Sequence, residues 1–146
     1  MTGLLFVDTS LLIYSLDPAN PGKRAKAVEL LQRGMRAGVL ITSPQSLNEC
    51  YQVLAMKKRL VPNDEARAFV SALFPTCRAP LDLDTVKLAW ETETLTRYSW
   101  WDCLLLAAAR QAGCSYFLTE YLKDEHMIES LQILNPFVHD ITATIA

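Results

Sequence analysis

The sequence predicts an α/β domain with a mainly parallel central sheet and helices on both of its faces. Three observations lead there. Leu4 to Val7 is a short, continuous apolar run, as expected of a strand buried on both sides, and Val39 to Thr42 and Ser115 to Leu118 are further strand candidates. Longer segments with helical periodicity separate them, and alternating strands and helices imply crossovers that cover the sheet above and below. The chain has 146 residues, 51% of them hydrophobic, which suits one domain over 1–146 with a real core and argues against disorder.

Taken in order, Leu4 to Val7 is the first strand, and the helix-like run Leu11 to Tyr14 follows almost at once. Asp17 to Gly22 is a loop rich in breakers. Lys23 to Gly38 predicts a helix with Ala27, Val28, Leu31 and Met35 on its apolar side, and Gly38 suits its stop. Val39 to Thr42 is the second strand, and Ser43 or Pro44 opens a helix reaching about Met56. Asn63 is the expected N-cap of a helix running to Phe74, where Pro75 ends it. Arg78 to Leu83 offers a short edge strand, since Pro80 argues against a central one. Asp84 is the expected cap of a helix to Tyr98. Trp101 to Ala112 is apolar nearly all round, the mark of a buried helix, and Gly113 ends it. Ser115 to Leu118 and Leu131 to Leu134 complete the strands. There is no internal repeat, low-complexity tract or linker.

The formal charge of −2 excludes a strongly basic, nucleic-acid-coating protein but leaves room for a local basic patch. No apolar run approaches the roughly 20 residues needed to cross a bilayer. The first apolar run has no basic segment before it and is interrupted by Asp8, so neither a membrane anchor nor a signal peptide is expected. Cys50, Cys77, Cys103 and Cys114 form no CxxC pair and fit reduced thiols of a cytoplasmic protein. His126 and His139 lie far from every cysteine in sequence, which disfavours zinc.

The chemistry lies in acids at the junctions. Asp8 follows the first strand, Glu49 lies about two turns into the helix after the second, Asp102 opens the buried helix, and Thr119 and Glu120 follow Leu118. In a parallel sheet these strand ends share one edge, where open α/β folds place their ligands. Carboxylates crowded in a dry site must be protonated or neutralised by a cation. Oxygen donors favour hard cations, so magnesium or manganese is the expected partner. Such a site activates water and stabilises an in-line displacement at phosphorus.

Each residue also has a plainer reading. Asp8 suits a helix cap. Asp102 complements a helix N-terminus. Glu49 fits a buried ion pair, and Glu120, Asp124 and Glu125 suit a solvated loop. Ser10 and Thr119 fit local hydroxyl caps. Trp100 and Trp101 read as core or interface before base-stacking. Lys57, Lys58 and Arg59 follow the Glu49 helix, where cations suit a helix C-terminus as well as RNA phosphates.

The strings Phe6-Val7-Asp8-Thr9-Ser10, Leu47-Asn48-Glu49, Trp101-Asp102-Cys103-Leu104 and Phe117-Leu118-Thr119-Glu120 resemble the acidic motifs of PIN-domain nucleases, in order and approximate spacing along nearly the whole chain. The resemblance implies a Rossmann-like three-layer α/β/α fold and magnesium- or manganese-dependent cleavage of RNA, leaving a 5′-phosphate. It implies metal-site acids at Asp8, Glu49 and Asp102, with Ser10 and Thr119 holding waters or carboxylates through their hydroxyls. Many small bacterial members are toxins of VapBC-type toxin–antitoxin pairs, so an antitoxin partner and a homodimer are also implied.

One departure stands out. The family often carries an aspartate two residues after the Thr119 equivalent, and here that residue is Tyr121. Glu120 or Asp124 is then the nearest source of a fourth acid. The alternative function is a catalytically weakened PIN-like protein that binds RNA or a partner. A phosphatase using Asp8 as covalent nucleophile ranks lower, because Ser10 stands where a second acid is wanted.

Overall fold

A computed structural model describes residues 3–145; residues 1, 2 and 146, the ends of the expected 1–146 domain, lie outside it. The apolar runs become a five-stranded sheet. In chain order the elements are β1 (Leu5–Val7), α1 (Thr9–Tyr14), α2 (Pro21–Ala37), β2 (Leu40–Ile41), α3 (Pro44–Gln52), α4 (Asn63–Ala72), α5 (Leu83–Thr96), α6 (Trp100–Gln111), β3 (Tyr116–Leu118), β4 (Met127–Ile128) and β5 (Leu131–Leu134). The strand order is β2-β1-β3-β5-β4. All pairings are parallel except β4 with β5.

Strand alternation divides the core. Leu5, Val7, Leu40 and Leu118 point into a cluster with α1 to α4, whose contributions include Leu11, Leu12, Leu30, Leu47, Cys50 and Val70. Phe6, Ile41, Phe117 and Ile133 point the other way, onto Leu105, Leu106 and Ala109 of α6. Helix α5 packs outside α6 through Ala89 against Leu104 and Ala107. The result is a three-layer α/β/α arrangement. At its centre the rings of Phe6 and Phe117 stack in register, 5.2 Å apart and 6° from parallel. Each is at most 1% exposed, and burying such a ring is worth about 2–3 kcal/mol. That fixes the β1–β3 pair, whose carboxyl ends carry Asp8 and Thr119.

Several boundaries differ from expectation for local reasons. Helix α2 starts at Pro21, because proline fits the first turn where its missing N–H is not needed. It buries Ala27, Leu30, Leu31 and Gly34, while Met35 is 40% exposed. Gly34 sets that face: a Cβ there would lie 2.5 Å from Leu40, so α2 approaches β2 more closely than any side chain allows. Asn63 is the first residue of α4 and makes no side-chain cap; the helix stops at Ala72, and Phe74–Thr76 form a 3-10 turn. Asp82, not Asp84, caps α5, in a reciprocal pair with Thr85. The edge strand expected over Arg78 to Leu83 does not form; pairing there is a single bridge between Thr42 and Cys77. Strand β4 escaped the sequence because Met127 and Ile128 are too short a run to give a period. The helix bearing Glu49 passes at Val53–Lys57 into a wider π turn, which sequence periodicity did not reveal.

Candidate active site

The first acid stands where β1 hands the chain to α1. The Asp8 N–H donates to the Leu118 carbonyl at 3.1 Å, one step past the β1–β3 ladder. Its carboxylate caps α1, with Oδ1 accepting from the Thr9 N–H at 2.8 Å. Oδ2 accepts from the Thr119 hydroxyl at 2.8 Å and, at a long 3.4 Å, from Ser10. Asp8 is therefore both a helix cap and a member of the acidic site.

Glu49 comes from α3, whose N-terminus is fixed by the reciprocal bonds of Ser43 and Ser46 and by Pro44. Its two oxygens have separate donors: Oε2 accepts from the Thr9 hydroxyl at 3.1 Å, and Oε1 from Gln45 Nε2 at 2.9 Å. Asp102 is the third residue of α6. Ser99 caps that helix through the Asp102 N–H at 3.2 Å and donates its hydroxyl to Asp102 Oδ2 at 2.8 Å.

The three acids thus come from three elements and meet at one edge of the sheet. Burial raises the Asp8 carboxyl; hydrogen bonds from Thr119 and Thr9 oppose this, and the charges of Asp102 and Glu49 add to it, leaving the pKa at about 6. The donor set is all oxygen, the chemistry of a hard divalent cation, and a neighbouring positive charge would relieve the strain on ionised Asp8. The residues therefore fit magnesium or manganese. The three acids do not draw their oxygens into one tight cluster; among the described residues, the ligand-type group whose atoms all lie within 4.8 Å is Asp124, Glu125 and His139. Like charges separate, and each carboxylate turns toward its own donors.

The remaining candidates divide. Thr119 is fully buried and holds Asp8, and Ser10 reaches it weakly. Glu120 turns to other partners: it pairs with Lys23 Nζ at 2.6 Å and accepts from the Tyr14 hydroxyl. Burial works to raise its carboxyl, but Lys23 and Tyr14 outweigh this and hold it below the usual carboxylate range. Asp124 accepts from the Asn135 N–H and pairs with His139, both at 2.8 Å, tying the loop after β3 to the chain after β5. Tyr121 points to solvent, 69% exposed, with its hydroxyl 3.3 Å from that of Tyr14. Lys57, Lys58 and Arg59 are exposed beyond α3, about two turns past Glu49.

Sequence reasoning assigned no role to Thr9, Gln45 or Ser99. Two of these had a readable signal. Gln45 lies one turn before Glu49 on the same helix face, and Ser99 stands three residues before Asp102, the spacing of a helix cap and its acidic partner. Thr9 had none, because its bond to Glu49 joins residues forty positions apart.

The domain superposes on solved structures of a toxin and of toxin–antitoxin complexes. The VapC20 toxin of Mycobacterium tuberculosis, described as a sarcin–ricin loop cleaving toxin, is 24% identical, with a TM-score of 0.59 over 77% of this chain and 86% of that one. VapBC2 from Rickettsia felis, solved bound to a DNA fragment from its promoter, is 13% identical, with a TM-score of 0.62 over 90% of this chain and 98% of that one. A toxin–antitoxin complex from Klebsiella pneumoniae is 19% identical, with a TM-score of 0.61 over 88% and 95%. Among curated proteins no sequence matches. The PIN domain family model matches residues 5–126, a span that holds every acid of the site, and the chain belongs to that family.

Proposed function

We propose that the protein is a metal-dependent endoribonuclease that hydrolyses RNA phosphodiester bonds, and that it is the toxin of a toxin–antitoxin pair. The observation that carries the reading is geometric: acids from three separate elements are linked side by side, Thr9 bonding both Asp8 and Glu49, and Gln45 bonding both Glu49 and the Trp101 carbonyl that precedes Asp102. Membership of the PIN family and the likeness to toxins and toxin–antitoxin complexes support it.

In this reading Asp8, Glu49 and Asp102 hold magnesium or manganese. The cation, when bound, supplies Lewis acidity for water and positive charge for a phosphodiester under displacement. The chain's own residues set the geometry. Thr119 and the Thr9 N–H orient Asp8, Thr9 and Gln45 orient Glu49, and Ser99 orients Asp102. Donors fixed before substrate arrives need no reorganisation during reaction. Tyr121 supplies no carboxylate, and Glu120 is committed to Lys23, so the ligand set is three acids. Lys57, Lys58 and Arg59 offer phosphate contacts beyond α3.

No helix among the described residues is long and apolar enough to cross a membrane. The likeness to toxin–antitoxin complexes supports an antitoxin as the protein's partner.

The test is cleavage of structured RNA with magnesium or manganese by the parent and by Asp8→Asn. Parent cleavage that falls at least a hundredfold in the variant is expected. Equal cleavage by both removes Asp8 from the reaction, and metal-independent RNA binding without turnover by the parent favours the binding alternative.

A further inference from the structure

Gln45 is 8% exposed and lies in the first turn of α3. Its Nε2 makes two bonds, to Glu49 Oε1 at 2.9 Å and to the backbone carbonyl of Trp101 at 3.0 Å. Its Oε1 is buried and has no hydrogen-bond partner among the described residues. The orientation of the amide is fixed by its neighbours. A carboxylate and a peptide carbonyl only accept, so turning the amide over would set three acceptors against each other. The nitrogen must face Glu49 and Trp101, and the oxygen is left without a donor.

That arrangement is expensive. A buried unpaired acceptor costs about 1–3 kcal/mol, and buried polar groups are nearly always paired. An apolar side chain of the same length would avoid the loss. What glutamine provides instead is a pair of N–H bonds that join one site acid to the backbone beside another, since Trp101 immediately precedes Asp102.

We propose that Gln45 is a positioning residue of the acidic site, a strut that fixes the Glu49 carboxylate and its separation from Asp102 by tying α3 to the first turn of α6. With Thr9 on the other oxygen, Glu49 is held at both ends. The purpose of this positioning rests on the nuclease reading, whereas its geometry does not. Groups standing behind metal-site acids typically change affinity or activity by about 10–100-fold when removed.

The experiment uses Gln45→Met, which keeps the length and removes both donors, and Gln45→Glu, which keeps the shape and cannot donate from an ionised carboxylate. Three quantities are measured: manganese affinity by calorimetry, kcat and KM on RNA, and Tm, together with a crystal structure of Gln45→Met. Expected for Gln45→Met is manganese affinity down about tenfold, kcat reduced with KM within twofold, and a Glu49 carboxylate that has left Thr9. Gln45→Glu should show the same loss of affinity. A lower Tm with unchanged manganese affinity would make Gln45 merely structural and overturn the proposal. If the parent binds no manganese and cuts no RNA, the nuclease reading fails by itself. The crystal structure then decides the strut alone, and a Glu49 carboxylate still bonded to Thr9 refutes it.

Discussion

Thr119 donates its hydroxyl hydrogen to Asp8 Oδ2 across 2.8 Å while accepting from the Tyr121 N–H at 3.2 Å. One fully buried side chain thereby joins the ends of the two central strands and satisfies a carboxylate and a backbone group together. Thr119→Val keeps the shape and removes both bonds. It should cost about 1–3 kcal/mol at neutral pH, since a buried acceptor and a donor lose their partner. Urea unfolding at pH 7 reads the loss. An unchanged midpoint would mean that solvent already serves Asp8.

The raised Asp8 carboxyl gives the metal-free protein a specific pH response. The folded pKa of about 6 lies above the ordinary 3.8, so the folded state holds the proton more tightly than the unfolded chain. The stability from this group is fully present below about pH 4 and is lost as pH rises through about 6. A shift of this size corresponds to about 2–3 kcal/mol. Asp8→Asn should remove that part of the slope and be more stable than the parent at pH 7. Thermal melts of both in EDTA between pH 4 and 8 check it, and parallel curves would exclude a raised pKa.

Cation binding should run the opposite way. Protonation of Asp8 competes with the ion, so manganese affinity should fall as pH drops below about 6. At neutral pH, manganese at a hundred times its Kd should stabilise the protein by about 2.7 kcal/mol, reversed by EDTA. Calorimetry and melts with and without manganese measure both effects. No change in Tm at millimolar manganese contradicts a cation at this site.

Glu120 is expected to act on stability and not on the cation. Glu120→Gln should cost about 1 kcal/mol through loss of its partly buried pair with Lys23, and the cost should shrink in high salt. Its manganese affinity should match the parent's. A tenfold fall would return Glu120 to the ligand set.

Arg97 closes α5 in the left-handed conformation, with φ of 64°, and is exposed. Glycine adopts that conformation without the clash a Cβ brings, at some cost in unfolded-chain entropy. Arg97→Gly should therefore stabilise the protein by about 0.5–1 kcal/mol, read from chemical unfolding. A loss of stability would show that the arginine side chain contributes more than its backbone strain.

The parallel strands, the buried α6 and the position of Asp8 at the end of β1 were legible because each has a local signature. A continuous apolar run, a ring of Leu and Ala and a charge at a junction can be read from neighbours alone. The partners of the acids were not, because they are set by distant contacts. Thr9 reaches Glu49, Gln45 reaches Trp101 and Glu120 reaches Lys23 only after the layers pack. Local competition hid other features. Asp82 and Asp84 are both good caps, and Asp82 prevails because Thr85 stands where it can return the bond. The π turn at Val53–Lys57 follows a helical pattern that gave no hint of the change in winding.

The Tyr121 N–H meeting Thr119 is a main-chain bond, and every residue except proline brings the same hydrogen to that place. The side chain at 121 is therefore released from the task of steadying the first acid. Substitution there can alter what the rim offers to a passing molecule while the interior anchor survives.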